Sequence, residues 1–442
     1  MPRPKVVLPK KGMRKDEILK RMKEIRTKDF NWESGKMFGY VYHTTEEHEE
    51  FLKKAHQMFF SENAINPMAF PSLKRFEAEV IAIVADMLGG DQRTGGTMTS
   101  GGTESILLAM KTYREWAQKK KGIKHPEVIL PLSAHPAFDK AAYYFDLKKI
   151  HVPLTEDFRA DVAAVKEAIT ENTIVIVGSA CDFPRGVVDP ISELAAIAKE
   201  NAIGCHVDAC LGGFMLPWLK KLGYKIPAFD LRVPGVTSIS ADLHKYGYTA
   251  KGASIVLYKN KKLQTHQIYA YTEWSGGIYA SATMTGTRPG AAIAAAWAGL
   301  NVLGEEGYVQ LAKVTMETTK RFIKGINSIP ELYVMGKPDM TVFSFTSDDI
   351  DIYILGDIMQ RKGWLLDRLQ FPPCLHLIVN PHHAKIVDQF LKDLKDSVEE
   401  VKATPSASAA GSAAMYGMMA RSSDRKTIEK TVIRFLLDLY DS

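Results

Sequence analysis

Two short segments of this sequence end in residues that could do chemistry together. One reads CHVD and ends in Asp208; the other reads SISADLHK and ends in Lys245, 37 positions later. A lysine amine can condense with the aldehyde of pyridoxal 5′-phosphate (PLP) as a Schiff base, and a carboxylate can keep the ring nitrogen of that cofactor protonated. We therefore predict a PLP site at Asp208 and Lys245. We also expect the apolar approach, residues 238–241, to desolvate Lys245 so that its amine is neutral at working pH.

A glycine-rich segment upstream, residues 99–105, reads TSGGTES and opens a predicted helix. Backbone N–H groups of a helix N-terminus, here at Gly102 and Thr103, suit a phosphate dianion. The same letters could form only a turn and a helix cap. Their position ahead of Asp208 and Lys245 favours the phosphate site.

Three nearby residues are candidates that also have an ordinary structural explanation. His135 follows a predicted strand and could stack on a pyridine ring, although such a residue by itself is more often a capping or core histidine. His244, taken alone, could be a loop charge. Lys251 is a second cation near the same strand end, and a surface lysine is the alternative. These alternatives stay open on residue types alone.

The elements that must position these residues alternate between apolar runs and helical patterns. Strands are predicted at residues 128–132, 150–153, 174–179, 203–207, 238–241 and 254–258. Helices are predicted at residues 73–88, 103–120, 139–145, 161–169 and 190–201. Because the apolar runs are continuous, we expect an α/β fold with a mostly parallel sheet covered on both faces.

Three units are expected along the chain. We predict an N-terminal arm at 1–72, a large PLP-binding domain at 73–305 and a smaller α+β domain at 306–442. The last unit is predicted to contain helices at 308–326, 351–362 and 384–402, and strands at 332–335, 341–346 and 375–379. The segment 403–422 is rich in Ala, Ser, Gly and Met, and we expect it to be mobile and able to act as a lid.

The composition is typical of a soluble globular enzyme, with 46% hydrophobic and 24% charged residues. The formal charge of +6 is concentrated in residues 1–28, which hold 11 Lys/Arg and 3 Asp/Glu. We interpret them as a solvated, partly helical tail; peripheral contact with an anionic membrane is the alternative, and no nucleic-acid partner is expected. The four cysteines lack metal-ligand spacing, so no metal is expected. The longest apolar stretch, 290–304, is shorter than the ~20 residues of a membrane span, so we expect a soluble, cytoplasmic protein.

The order of these motifs resembles the group II PLP-dependent decarboxylase superfamily, whose members share the fold-type I, aminotransferase-like architecture. Longer segments resemble the sphingosine-1-phosphate lyases within it. These segments are CHVDACLGGF at 205–214, GVTSISADLHKYGY at 235–248, GGIYAS at 276–281, LQFPP at 369–373 and AMYGM at 414–418. The resemblance extends from about residue 33 to the C-terminus.

The resemblance implies roles for the cofactor residues. Lys245 matches the Schiff-base lysine, Asp208 the partner of the ring nitrogen, and His135 the ring-stacking histidine. Contacts to the cofactor phosphate are implied for Gly102, Thr103 and His244.

The resemblance also implies a substrate site and a homodimer. Tyr42 and Lys251 match positions that hold substrate phosphate or move protons, and Asn66 stands where a substrate-phosphate histidine is expected. Asn can donate a hydrogen bond but cannot carry that charge. The loop 276–281 matches one that reaches the partner's cofactor, so the active site is expected between subunits. Eukaryotic relatives carry an N-terminal membrane anchor that this sequence lacks; we expect either a soluble bacterial type or a trimmed chain.

The implied activity is a carbon–carbon lyase of the sphinganine-1-phosphate aldolase type, acting in sphingolipid degradation. Retro-aldol cleavage of the C2–C3 bond of sphingosine 1-phosphate would give a long-chain aldehyde and phosphoethanolamine. His135, Lys251 or the released Lys245 could take the proton of the C3 hydroxyl. A PLP-dependent amino-acid decarboxylase is the alternative, against which residues 369–373 and Tyr416 argue. A non-catalytic binding protein is the second alternative, and the intact cofactor residues argue against it.

Overall fold

A seven-stranded sheet forms the centre of the protein in this computed structural model, which describes residues 6–403 and 424–440. Its strand order is β1-β7-β6-β5-β4-β2-β3. The strands are β1 (Gly95–Thr99), β2 (Glu127–Pro131), β3 (Lys148–Val152), β4 (Thr173–Ser179), β5 (Gly204–Asp208), β6 (Ser238–Ala241) and β7 (Ser254–Tyr258). Only β7 runs against the others. The prediction of a mostly parallel sheet is therefore confirmed, although β1 was not predicted.

The central strands are buried on both faces. Every residue of β2, β4, β5, β6 and β7 is buried. Alternate side chains enter different hydrophobic clusters: Ile129 packs on one side of the sheet, and Val128 and Leu130 pack on the other. This double covering explains why the strands read as continuous apolar runs rather than as an alternating pattern.

Helices cover both faces of this sheet. In chain order the helices are α1 (Lys15–Arg26), α2 (Glu46–Met58), α3 (Pro71–Met87), α4 (Gly102–Lys121), α5 (Ala137–Phe145), α6 (Val162–Glu167), α7 (Ile191–Glu200), α8 (Leu216–Lys221), α9 (Lys261–Gln264), α10 (Gly290–Ile326), α11 (Ile352–Arg361), α12 (Val387–Ala403) and α13 (Arg425–Tyr440). Helix α10 is interrupted at Gly304, whose φ of 55° is non-helical. The proposed domain boundary at residue 305 lies beside this kink.

A second, four-stranded sheet follows α10 and is antiparallel throughout. Its strands are β10 (Tyr333–Val334), β11 (Val342–Thr346), β12 (Asp367–Leu369) and β13 (Cys374–Ile378), after a short hairpin formed by β8 (Tyr269–Tyr271) and β9 (Tyr279–Ser281). It has a hydrophobic cluster of its own, with Phe343, Trp364 and Phe390 fully buried. Two sheets with separate clusters support the proposed division into a large and a small domain. The predicted mobile segment lies outside the described residues, except for Ala403 at the end of α12.

The N-terminal segment reaches both hydrophobic clusters. Phe38 is buried in the cluster of the second sheet, and Ala64 is buried in the main cluster of the large sheet. Helix α1, by contrast, has no buried residue, and its contact with a membrane remains a prediction. Within the described ranges, none of the helices combines the length and apolar character needed to span a bilayer.

Candidate active site

A cavity of about 620 Å³ lies where the carboxyl ends of β4 and β5 meet the N-terminus of α4. Eight of the nine residues predicted for the site line it; they are Tyr42, Gly102, Thr103, His135, Asp208, His244, Lys245 and Lys251. A larger cavity of about 970 Å³, lined by residues of α3, α8 and α10, contains none of them. Because parallel strands bring their carboxyl ends to one edge of a sheet, where α/β proteins bind ligands, we place the site in the smaller cavity.

Asp208 is the last residue of β5, in the middle of the large sheet, and its side chain is almost fully buried. Its Oδ1 accepts hydrogen bonds from the backbone N–H of Cys210 at 3.0 Å and from Ser240 Oγ at 3.3 Å. These two donors fix the direction of the carboxylate. It is the one acidic residue of the site that the sequence predicted.

Lys245 lies in the turn after β6, and a second carboxylate, Asp242, lies beside it. The distance from Lys245 Nζ to Asp242 Oδ2 is 2.9 Å, and Asp242 is fully buried. Burial is the largest single influence and lowers the pKa of Lys245, but the Asp242 charge, the hydrogen bond to Asp242 and the neighbouring Cys210 and Tyr42 together outweigh it, so the pKa lies above its ordinary value. The prediction of a neutral amine is therefore wrong for the cofactor-free protein. The aspartate three residues before the lysine was the signal for this ion pair.

The N-terminus of α4 approaches the Asp242 turn so closely that only glycine fits. A Cβ on Gly102 would lie 2.8 Å from both Asp242 Oδ2 and Cys210 Sγ. Glu104, which the sequence reasoning missed, is buried in the first turn and accepts hydrogen bonds from Ser100 N at 2.7 Å and Met284 N at 2.9 Å. These contacts hold the glycine-rich segment and the loop after β9 together, and the start of α4 at Gly102 and Thr103 lines the cavity.

Two histidines border the cavity in neutral form. Burial lowers the pKa of both His135 and His244. Nδ1 of His135 accepts from the backbone N–H of Ala137 at 3.1 Å, and Nδ1 of His244 accepts from that of Ala253 at 3.2 Å. Since a neutral imidazole carries one proton, each ring holds it on Nε2.

Lys251 and Tyr42 form the opposite side of the cavity. Lys251 Nζ lies 5.1 Å from the centre of the Tyr42 ring and donates to the carbonyl of His244 at 3.1 Å. Burial, followed by the nearby Lys245 charge, lowers the pKa of Lys251 to about 8. The Tyr42 ring packs edge-on against Tyr246 at 5.0 Å. A cation over an aromatic face is attracted by the ring, which holds the Lys251 amine at the cavity.

Asn66 is the predicted site residue that the structure does not bring to this cavity. It is exposed, and its Oδ1 accepts from the backbone N–H groups of Met68 at 2.9 Å and Ala69 at 3.3 Å. Its side chain therefore stabilises a local turn. A role for Asn66 in substrate binding requires a second subunit and remains a proposal.

The residues present fit PLP. The cavity offers the Lys245 amine for the aldehyde, the Asp208 carboxylate deep in the sheet, and glycines at a helix N-terminus for a phosphate. Asp242 Oδ1 is buried without a hydrogen-bond partner, so a further donor can be accommodated beside Lys245. Elsewhere in residues 6–403 and 424–440, no three His, Cys, Asp or Glu side chains come together as a metal site would require.

Comparison with known proteins agrees with this fit. Residues 8–347 match the family described as the pyridoxal-dependent decarboxylase conserved domain, and the chain belongs to that family. Within it, the chain groups with the sphingosine-1-phosphate lyases. It is 47% identical to the lyase of Arabidopsis thaliana over 98% of this chain and 81% of that protein, and 44% identical to lyase 1 of Mus musculus over 98% and 77%.

Solved structures show the same relationship. The sphingosine-1-phosphate lyase of Burkholderia pseudomallei K96243 superposes with a TM-score of 0.90 at 39% identity, covering 99% of this chain and 98% of that chain. A glutamate decarboxylase of Lactobacillus brevis superposes with a TM-score of 0.78 at 20% identity, covering 90% and 95%, which shows a shared fold. The predicted fold class, the PLP cofactor and the carbon–carbon lyase class are confirmed.

Proposed function

We propose that this protein cleaves phosphorylated long-chain bases such as sphingosine 1-phosphate into a long-chain aldehyde and phosphoethanolamine, as a step of sphingolipid degradation. The observation that carries the proposal is the convergence of Lys245, Asp208, His135 and Lys251 on one cavity, in a chain 47% identical to a sphingosine-1-phosphate lyase. When bound there, PLP supplies an electron sink for the pair of electrons left at C2. All other contributions come from the protein.

The position of each residue in the cavity indicates its role. Lys245 provides the amine that holds the cofactor aldehyde, and Asp208 provides the negative charge that stabilises a protonated ring nitrogen. His135, neutral and facing the cavity, can lie against the ring. Backbone N–H groups of α4 at Gly102 and Thr103 would hold the cofactor phosphate, because the helix dipole favours an anion at this end of the helix.

Among the three candidate bases for the C3 hydroxyl, the geometry favours Lys251. His135 already accepts a hydrogen bond at Nδ1, so its Nε2 carries a proton and cannot take another while the ring is neutral. Lys245 is paired with Asp242 and charged. Lys251, with a pKa of about 8, is close to neutral pH, where a general base is most effective. We therefore propose that Lys251 Nζ accepts the proton of the C3 hydroxyl.

Incubation with sphingosine 1-phosphate and PLP tests the function. We expect a fatty aldehyde and phosphoethanolamine in equal amounts, no carbon dioxide from any of the common amino acids, and no product from Lys245→Ala. Carbon dioxide release without aldehyde would make the protein a decarboxylase. A protein that stays colourless after addition of PLP would be a non-catalytic member of the fold.

We also propose that the active unit is a homodimer whose active sites lie between subunits. Support comes from two neighbouring segments that the single chain leaves exposed. Met68 is 80% exposed beside the Asn66 turn, and Trp274 and Ile278, in the β8–β9 hairpin, are 55% and 82% exposed. Both segments line one shallow cavity, through Ile65, Ile268 and Ser281. Exposed apolar residues gathered in one region are typical of a protein interface.

Complementation between inactive subunits tests the dimer. Lys245→Ala removes the cofactor lysine. An Asn66→Ala, Ile278→Ala double variant removes one side chain from each of the two segments proposed to serve the partner. Neither variant should cleave substrate well, but a mixture dissociated and reassembled should regain activity, because one site of each hybrid dimer is then complete. A fully active monomer in sedimentation analysis would contradict the proposal.

A further inference from the structure

A row of hydrogen-bonded side chains runs through the large sheet from Asp208 towards the opposite sheet edge. Ser240 Oγ lies 3.3 Å from Asp208 Oδ1 and 3.3 Å from His206 Nε2. On the other side of the imidazole, His206 Nδ1 lies 2.7 Å from Ser238 Oγ, which lies 2.6 Å from the hydroxyl of Tyr113. The row therefore links five side chains without a gap.

The row follows from strand register. His206 and Asp208 are two residues apart on β5, so their side chains point to the same face. Parallel pairing places His206 beside Ser238 and Asp208 beside Ser240 on β6. Tyr113 comes from α4, and its ring occupies the space that a Cβ on Gly204 would fill. Four of these residues are at most 1% exposed, and Asp208 is 7% exposed.

The protons of the row all point towards Asp208. Burial lowers the pKa of His206 to about 4, so the imidazole is neutral and has one N–H. A carboxylate only accepts, so Ser240 donates to Asp208 and its oxygen accepts from His206 Nε2–H. His206 Nδ1 then accepts from Ser238, whose oxygen accepts from Tyr113. Hydrogen bonds arranged in one direction strengthen each other in a low-dielectric interior.

Other ionisable groups face Asp208 from the neighbouring elements. His135 and Cys181 follow β2 and β4, and Cys210 follows β5; the Lys245–Asp242 pair after β6 interacts in turn with His135 and Cys210. The His206 row, by contrast, approaches Asp208 from inside the sheet, between β5 and β6.

We propose that His206 and Ser240 are positioning residues that hold the Asp208 carboxylate aimed at the cofactor ring nitrogen. An opposite charge held close to the ring nitrogen favours the protonated ring, so the direction of the Asp208 carboxylate matters. The inference rests on the proposed function only in requiring PLP in the cavity. Loss of a hydrogen bond to an ionised group changes an equilibrium about 10- to 100-fold, so a variant without the row should hold the ring proton more weakly by about one pKa unit or more.

Spectroscopy of the cofactor-loaded protein tests this. His206→Leu removes both ring nitrogens, Ser240→Ala breaks the link with a smaller change in volume, and Ser344→Ala is the control, a buried serine in the second sheet. With ¹⁵N-labelled PLP, nitrogen NMR titration should show the ring pKa lowered by about one unit or more in the first two variants and unchanged in the control. Their kcat should fall about 10- to 100-fold at a similar KM, and His206→Gln, which keeps one donor, should lie between.

The outcomes separate this inference from the function. If His206→Leu does not fold, Ser240→Ala decides. Variants that lose only thermal stability, with the ring nitrogen titrating as in wild type, would reduce the row to a satisfied core network and overturn the inference. If the ring pKa falls in the two variants as expected but the wild-type protein releases no aldehyde, the inference stands and the proposed function is overturned.

Discussion

Replacement of Asp242 by Asn should change the ionisation of Lys245 in the cofactor-free protein. The two side chains are 2.9 Å apart, and Asp242 is fully buried. Asn has the same shape and keeps an acceptor oxygen, but it carries no charge. The burial of Lys245, which by itself lowers its pKa, would then be opposed only by the weaker effects of Cys210 and Tyr42.

The size of the effect follows from the distance. Two unit charges at this separation attract by about 6 kcal/mol at an effective dielectric constant of ~20, which corresponds to about four pKa units. Solvent reaches 25% of the Lys245 side chain, and the Asn amide keeps part of the attraction. We therefore expect the pKa of Lys245 to fall by about two to three units. At neutral pH the fraction of neutral, nucleophilic amine should rise about 100- to 1000-fold.

The assay is the rate at which PLP-free protein takes up added PLP, followed by near-visible absorbance between pH 6 and 10. The pH dependence for Asp242→Asn should move down by about two to three units. Asp230→Asn is the matched control, since Asp230 is also buried and paired with an arginine, but far from the cavity. A profile for Asp242→Asn that overlays the wild type, or moves up, would refute the proposed control of Lys245 by this carboxylate.

The ion pair also stabilises the folded protein, and the two pKa shifts define the pH range in which it does so. Burial raises the pKa of Asp242, but the charges of Lys245 and His244 and the hydrogen bonds from Ser254 and Lys245 together lower it more, and the net pKa is below 3.8; that of Lys245 is above 10.5. The stabilisation is therefore complete between about pH 4 and pH 10.5, and it is lost as the pH falls through the lowered pKa of Asp242.

Three further predictions concern the base, the phosphate cradle and the arm. If Lys251 is the base, kcat/KM should rise with pH through about 8, and Lys251→Arg should lose about 100-fold or more in kcat at an unchanged KM; a preserved kcat would assign Lys251 to phosphate binding. Gly102→Ala should force apart Asp242 and Cys210 at a cost of about 1–3 kcal/mol, so fluorescence titration should show PLP affinity about 5- to 100-fold weaker with an unchanged circular dichroism spectrum. Phe38→Ala should lower the free energy of unfolding in urea by about 3–5 kcal/mol; a change below about 1 kcal/mol would mean that the arm is not part of the core.

The sequence predicted the centre of the site because its residues are tied to regular elements. Asp208 ends a strand and Lys245 follows the next one, and parallel strands end at one edge whatever the details of packing. The predicted strand at 174–179 is observed as Thr173–Ser179. Strand β1, by contrast, reads GGTMT and has no apolar run. It forms because it pairs with β7, about 150 residues later, and local pattern does not contain that information.

The ionisation of Lys245 and the contacts between distant parts of the chain could not be predicted in the same way. The charge of Lys245 depends on one distance to Asp242, whereas the sequence shows only that the segment is apolar. Tyr42 and Lys251 meet although 209 positions separate them. The His206 row depends on the register between β5 and β6. Each of these features depends on the distance between particular atoms, and that distance is known only from the folded structure.

The residues from Phe38 to Tyr42 connect the core of the second sheet to the active site. Phe38 is held among the aromatic rings Phe322, Phe390 and Trp364, at centroid distances of 5.1–6.4 Å within that group. Four residues later, Tyr42 packs on Tyr246, the residue after Lys245, and carries Lys251 over its ring. Tyr246 in turn donates to the carbonyl of Val379, directly after β13. Because the arm, the second sheet and the Lys245 turn share these contacts, displacement of any one of them must move the amine proposed as the base, and the geometry of the site is therefore set by all three.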